Sequence, residues 1–176
     1  MRWALVTISF LGVCVLHTPH VLAAPQDQPV VVSRVLDLTN IERQKAGLGP
    51  LALSTQLNDA AQGYSQVLAS GACFEHTCGP VPRFENRVGQ AGYNGWNALG
   101  ENIAAGYPTP EAVVAGWMSS PGHRANMLSP NFTEMGIGLV SGGKYGAYWT
   151  QEFGRRPGVP VDVVPPAPAD DDVVSE

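Results

Sequence analysis

The chain has 176 residues, of which 44% are hydrophobic and 14% are charged, so it is long enough for one globular domain with a buried core. Its formal net charge is −5, and residues 157–176 alone hold five acidic residues and no basic one. The remainder is close to neutral, which excludes binding to nucleic acid or anionic lipid through a basic surface.

Residues 1–23 have the composition of a secretory signal peptide. Arg2 is a minimal basic region, an apolar run over residues 3–16 follows, and residues 21–23 form a small-residue cleavage site. A retained transmembrane anchor is the alternative, but it needs roughly 20 apolar residues, and two histidines and a proline interrupt this run. We therefore expect a secreted, extracellular protein with no transmembrane segment after cleavage.

Cleavage also leaves few reactive side chains. Cys14 raises the alternative of a lipoprotein, although the Leu-Gly-Val triplet before it fits a lipidation site poorly. In an exported protein an even pair of cysteines, here Cys73 and Cys78, indicates a disulfide. Closing the short loop between them is worth about 2 kcal/mol. A CxxxxC metal half-site is the alternative, but no second cysteine pair completes it. The cysteines and histidines that remain are Cys73, Cys78, His76 and His123.

The first half of the chain predicts two amphipathic helices. Apolar residues recur at helical spacing from Val31 through Lys45, and the glycines and proline of residues 47–50 end that helix. Ser54 is a natural N-cap for a second helix that ends at Gly71. Both apolar stripes indicate core packing rather than cofactor contacts.

Residues 71–100 predict a loop-rich insert. A link between Cys73 and Cys78 would hold His76 inside a six-residue ring and make an otherwise mobile loop rigid. Glu101 follows between a glycine and an asparagine, which favours an irregular or edge segment rather than a solvated helix face.

Residues 109–128 predict a helix and then a turn. Thr109 is suited to the N-cap, Pro110 to the first helical position, and Glu111 to the first turn, where the helix dipole favours an acid. Residues 119–122 end the helix just before His123, which we expect in a turn. A carboxylate at 101 and an imidazole at 123 are thus delivered from opposite ends of one helix.

A hairpin is predicted after that turn. Residues 134–140 alternate large apolar side chains with glycine, as in a strand that another element approaches closely. Residues 141–144 predict a turn, and residues 145–153 the returning aromatic strand. Helices followed by strands predict an α+β domain in which helices pack on a small antiparallel sheet.

Motifs that are specific for enzymes do not occur in the sequence. There is no HExxH, P-loop or GxGxxG, and the nearest approach to a nucleophile elbow, residues 63–67, lacks its second glycine. Cysteines joined to each other leave no thiolate nucleophile. The candidates for chemistry are His76, His123 and Glu101, with Glu134 and Glu111 as possible further acids.

Residues 157–176 form a Pro-rich acidic tail, which we expect to be disordered.

Several segments of the remaining chain occur together in a fixed order. They are TNIER (39–43), GLGPL (47–51), His76, GENIA (100–104), GWMSSPGHRANML (116–128), FTEMGIG (132–138) and YWTQEFG (148–154). With these segments the chain resembles the bacterial branch of the CAP superfamily, the SCP-like domains related to cysteine-rich secretory proteins, antigen 5 and plant pathogenesis-related proteins. The resemblance covers residues 31–155 and implies a three-layer α-β-α sandwich with a central cleft.

The resemblance implies a cleft tetrad of two histidines and two acids that can hold a divalent metal. His76, Glu101 and His123 match three of its members, whereas Ser120 stands where the second acid is expected. We therefore expect at most weak binding of Zn²⁺ or a similar ion, with His76 and His123 as candidate ligands, and no other cofactor.

Three functions compete at this stage. The resemblance implies extracellular contact with sterol, lipid or cell wall without one shared reaction, so the leading hypothesis is a monomeric binding module, with little or no catalysis, for a small hydrophobic ligand or cell-wall component. The first alternative is a metal-dependent hydrolase with Glu101 as general base. The second is an interaction module that uses the acidic tail.

Overall fold

A computed structural model describes residues 28–158, so the expected signal peptide at 1–23 and residues 159–176 of the expected tail lie outside the described part of the chain. No helix within residues 28–158 has the length and hydrophobicity needed to cross a membrane. The elements, in chain order, are α1 Gln28–Lys45, β1 Ala52–Leu53, α2 Thr55–Ala69, α3 Phe84–Gln90, β2 Ala98–Ala105, α4 Pro110–Ser119, α5 Pro121–Met127, β3 Glu134–Gly142 and β4 Gly146–Arg155.

The strands form one sheet in the order β1-β3-β4-β2. Strands β3 and β4 are the predicted hairpin, and β2 runs antiparallel along the other side of β4. The two-residue β1 pairs in parallel with β3, which the sequence did not predict, so the sheet is mixed rather than purely antiparallel. Because β2 lies at the edge of the described sheet, Glu101 is on an edge segment as expected.

Helices cover both faces of this sheet, and the α+β three-layer sandwich is confirmed. One face packs against α2 and α3, and the other against α1, α4 and α5. The largest core lies on the second face, where Trp117 of α4 and Trp149 of β4 are at most 1% exposed. Burying a large apolar side chain contributes about 1.5–3 kcal/mol, so this core holds α1 and α4 to the sheet.

The backbone of α2 lies directly on β3. A Cβ atom at Gly136 would overlap the backbone at Leu57, and one at Gly138 would overlap the backbone at Ala61. These are the glycines that alternate with large apolar residues in the sequence, so the predicted close approach is confirmed and its partner is α2.

Side-chain amides of α2 also cover the outer edge of β3 beyond the short β1. Asn58 Oδ1 accepts from the backbone N–H of Ile137 at 2.8 Å. Gln62 accepts from the N–H of Leu139 at 2.9 Å and donates to its carbonyl at 3.1 Å. Backbone groups that would otherwise lie unpaired at a strand edge are thereby satisfied.

One local prediction is confirmed in part and another is wrong. Residues 71–100 are rich in loops as predicted, but α3 forms within them. His123 is not in a turn: Ser120 has an extended backbone, and Pro121 then starts α5, in which His123 lies. The predicted N-caps are confirmed, since Ser54 accepts from Leu57 N and Thr109 from Ala112 N.

Replacing Gly138 by alanine tests the contact between α2 and β3. We expect the free energy of unfolding to fall by about 3 kcal/mol, because the added methyl group overlaps the α2 backbone rather than a flexible side chain. Urea unfolding of purified protein measures this change.

Gly63→Ala is the matched control within α2. Gly63 is exposed, and an added Cβ meets nothing within 4 Å, so alanine should raise the free energy of unfolding by up to about 1 kcal/mol. Equal effects of the two substitutions would show that close packing of α2 on β3 is not required.

Candidate functional site

A disulfide between Cys73 and Cys78 closes the ring that contains His76, as the sequence predicted. The ring is also anchored from α2 and α3. The hydroxyl of Tyr64 donates to the carbonyl oxygen of Glu75, and Arg87 Nη1 donates to the carbonyl oxygen of His76 at 3.2 Å. The backbone that carries His76 is therefore fixed on both sides of the imidazole.

Glu101 lies beneath this ring on β2, with only 2% of its side chain exposed. Its Oε1 is 2.7 Å from Nδ1 of His76, and its Oε2 accepts from Nη2 of Arg87. Both carboxylate oxygens thus have partners on the protein. His76 is the exposed member of the group, with 54% of its side chain accessible.

Glu152 lies directly opposite Glu101 in the pairing of β2 with β4. Opposed residues share a face of the sheet, and the Glu152 side chain is completely buried there. Arg87 Nη2 is 3.9 Å from Oε1 of Glu152. If Glu152 is ionised, neither of its oxygens accepts a hydrogen bond from any residue that the structure describes. Two carboxyl groups therefore compete for one guanidinium.

The protonation of Glu152 resolves this competition. Burial raises the pKa of Glu152 well above its usual range, the adjacent Glu101 raises it further, and Arg87 opposes both effects. A neutral Glu152 does not compete for a cation, which leaves the Arg87 guanidinium to its ion pair with Glu101.

The sequence did not single out Arg87 or Glu152. Arg87 lies in α3, and its guanidinium stacks on the Tyr64 ring, 3.4 Å from the ring centroid. A signal for Glu152 was present, because it is a lone acid in an apolar strand. A strand buried on both faces must provide a partner for such a group.

His123 approaches from the other face of the sheet. Its backbone carbonyl accepts from Nδ2 of Asn102, the residue next to Glu101, at 3.2 Å. Its imidazole has no hydrogen bond to His76 or Glu101 in the described structure, so the three predicted residues do not form one bonded cluster. Burial lowers the pKa of His123, and the charge of His76 lowers it further.

A chain of buried amides holds α5 against β2. Asn126 Nδ2 donates to the carbonyl of Glu101 at 3.1 Å and to Oδ1 of Asn102 at 2.9 Å. Asn102 in turn donates to Gln151 at 3.1 Å, and Gln151 donates to Thr39 of α1 at 3.2 Å. This network fixes the position of α5, and with it His123, relative to the strand that carries Glu101.

The two further acids considered from the sequence lie elsewhere. Glu134 pairs with Arg156 and accepts from the hydroxyl of Tyr93 at 2.7 Å, near the start of β3. Glu111 forms an exposed ion pair with Arg34 on the surface of α4, at 2.7 Å. Neither contributes to the group around Glu101.

This arrangement does not fit a bound metal ion. Among residues 28–158, no group of three or more His, Cys, Asp or Glu side chains could hold one. The Arg87 guanidinium already occupies Oε2 of Glu101, and a second cation placed beside it would be repelled. This geometry gives no support to the metal-binding roles of His76 and His123, which stay predictions.

The sequence of this domain matches a known family. The model of the CAP (cysteine-rich secretory protein) family matches residues 36–153, and the chain belongs to that family. The uncharacterized protein YkwD of Bacillus subtilis is 40% identical over 131 residues, which cover 74% of this chain and 49% of YkwD. The human Golgi-associated plant pathogenesis-related protein 1 is 32% identical over 117 residues, which cover 62% of this chain and 72% of the human protein.

A solved structure has the same fold. It is that of an extracellular protein containing an SCP domain from Bacillus anthracis, with a TM-score of 0.63 and 30% identity. The alignment covers 76% of this chain and 45% of that one. This chain therefore spans less than half the length of both Bacillus proteins.

Replacing Glu152 by glutamine tests its protonation. The raised pKa means that the folded protein keeps a proton that the unfolded chain releases above its ordinary value of 4.5, so this contribution to stability is lost as pH rises. Relative to Glu152→Gln, the wild type should lose up to about 1.4 kcal/mol of unfolding free energy per pH unit. Urea unfolding at pH 5 and pH 8 measures the difference.

Glu111→Gln is the control for this experiment. The hydrogen bond from Arg34 lowers the pKa of Glu111, so Glu111 is ionised in both folded and unfolded chains between pH 5 and pH 8. Its substitution should leave the pH dependence unchanged. If Glu152→Gln also leaves it unchanged, Glu152 is ionised in the folded protein.

The two histidines should titrate on opposite sides of the ordinary value of 6.5. The hydrogen bond to Glu101 raises the pKa of His76, whereas burial lowers that of His123. NMR of the imidazole resonances during a pH titration measures both values. Glu101→Gln should lower the pKa of His76 more than that of His123, and a His76 that titrates below His123 would refute the bond to Glu101.

Proposed function

We propose that this chain is an extracellular binding module, without catalysis, for a small hydrophobic ligand such as a lipid or sterol, or for a cell-wall component. The observation that carries the proposal is the burial of Glu101, whose side chain is 2% exposed and whose two oxygens are bonded to His76 and Arg87. A general base must come within about 3 Å of a substrate proton. Glu101 is buried beneath His76 and Arg87, so a substrate proton reaches it only if these side chains move.

The exposed part of the site is suited to contact rather than chemistry. We use "aromatic surface" for Phe74 and His76 of the disulfide ring together with Tyr145 of the β3–β4 turn. Phe74 is 43% and Tyr145 50% exposed, and their ring centroids are 6.5 Å apart in an edge-to-face arrangement. Binding sites for small molecules combine such apolar contacts with a few polar groups, and His76 Nε2 supplies one here.

Both sides of the aromatic surface are rigidly supported. The disulfide fixes Phe74 and His76, and the buried Tyr148 hydroxyl accepts from the backbone N–H of Tyr145 at 3.4 Å. The Tyr145 ring also packs against that of Tyr148, with centroids 6.0 Å apart. Side chains held in place before binding lose less conformational entropy when the ligand arrives, which favours affinity.

Three observations support an extracellular location. Residues 1–23 have the composition of a secretory signal, and disulfides such as Cys73–Cys78 persist in oxidising compartments. The Bacillus anthracis protein that shares the fold is described as extracellular. The two Bacillus relatives are longer than this chain, so their activities as whole proteins are not carried over to it.

The variant Phe74→Ser/Tyr145→Ser tests the aromatic surface. With phosphatidylcholine–cholesterol vesicles and purified peptidoglycan as probes, we expect the wild type to co-sediment with at least one of them. The double variant should bind about tenfold or more weakly, because two exposed rings no longer become buried on binding.

Trp96→Ser is the matched control, since Trp96 is another exposed aromatic residue, 39% accessible, that precedes the opposite end of β2. It should leave binding unchanged. Equal binding by the double variant and the wild type, or no binding of the wild type to either probe, would overturn the proposal. Release of a reaction product from a probe that Glu101→Gln abolishes would instead favour the hydrolase.

A further inference from the structure

A groove of about 370 Å³ lies beside the junction of α4 and α5, on the face of the sheet opposite α2. Its lining combines apolar side chains with one cation. The residues that line it are Met118, Ser119, Pro121, Arg124, Ala125 and Leu128.

The charge of Arg124 has no counterpart in the described structure. Its side chain is exposed, and within residues 28–158 no carboxylate lies within 4.0 Å of it. Residues 112–133, which include the whole lining, contain no aspartate or glutamate. Arg34, Arg83, Arg87 and Arg156 each pair with a glutamate, whereas the exposed Arg155, like Arg124, does not. The groove therefore presents an unbalanced positive charge next to apolar surface.

A segment of this chain has the complementary composition. Residues 159–169 consist of valine, proline and alanine apart from Asp162, and three consecutive aspartates follow at 170–172. Glu176 adds a further acid, and the segment 159–176 contains no basic residue. Proline restricts the conformations of the free chain, so less entropy is lost when such a segment binds.

The segment starts close enough to reach the groove. The backbone N–H of Thr133 donates to the carbonyl of Gly154 at 3.0 Å, which ties the end of β4 to the chain that follows α5. Leu128 is five residues before Thr133, and Gly158 is four residues after Gly154, so Gly158 lies within about 35 Å of the groove even if both stretches are extended. Asp170 is twelve residues beyond Gly158, a reach of about 40 Å.

We propose that residues 159–176 bind back onto this groove, with the valines and prolines against Met118 and Leu128 and the aspartates at Arg124. The bound segment covers the groove, and any external amphiphile with an anionic group competes with it for the same side chains. The interaction is independent of the aromatic surface, which lies on the other side of the sheet.

A double-mutant cycle in the full chain tests the contact. NMR compares the amide signals of residues 118–128 in wild type and in Asp170→Asn/Asp171→Asn/Asp172→Asn at low ionic strength. We expect these signals to shift, because removing the acids releases the segment. In an Arg124→Gln background the same triple substitution should produce little further shift, and in the wild type high salt should mimic it, since exposed charges are screened.

Arg34→Gln provides the control background, because Arg34 is also exposed but pairs with Glu111. The triple substitution should shift the groove signals there as much as in the wild type. Unshifted groove signals, or equal shifts with and without Arg124, would overturn the proposal. Shifts that depend on protein concentration would assign the groove to the tail of a second copy. Shifts caused by phosphatidylglycerol vesicles alike in wild type and the triple variant would assign it to an external lipid.

Discussion

The contact between the backbone of α2 and the backbone of β3 fixes the helix on which the candidate site is built. Gly136 and Gly138 allow the approach, and Asn58 and Gln62 complete it by bonding to the strand edge. Once α2 lies there, Tyr64 points at the disulfide ring and stacks under the guanidinium of Arg87. The candidate site is therefore built on a helix that only glycines in the neighbouring strand can accommodate.

The charges of the site follow from burial. One guanidinium lies between two carboxyl groups on a single face of the sheet, and two negative charges there would cost more than a single buried cation can offset. Keeping Glu152 neutral leaves a balanced ion pair between Glu101 and Arg87. Because both partners are buried, His76 is the member of this group that solvent reaches. The proposed binding function rests on this arrangement.

The sequence predicted the features that depend on local patterns. The helices, their Ser54 and Thr109 caps, the glycine-alternating hairpin and the edge position of Glu101 each have a short-range signal. The resemblance to the CAP family predicted His76, Glu101 and His123 as site residues. In the described structure His76 is bonded to Glu101, and the imidazole of His123 is bonded to neither. The sequence could not predict the partners that come from separate elements. Arg87 is helical only because tertiary packing stabilises a seven-residue helix, and Glu152 meets Glu101 only through strand register.

Whether the loop around His76 is closed depends on whether Cys73 and Cys78 are oxidised to a disulfide. While the chain is in a reducing cytosol, its thiols stay free, and the loop around His76 is held only by hydrogen bonds from Tyr64 and Arg87 and by the bond to Glu101. On the export proposed above, oxidation after translocation would close the loop and hold Phe74 and His76 in one orientation. An exported chain would then complete this surface only after leaving the reducing compartment.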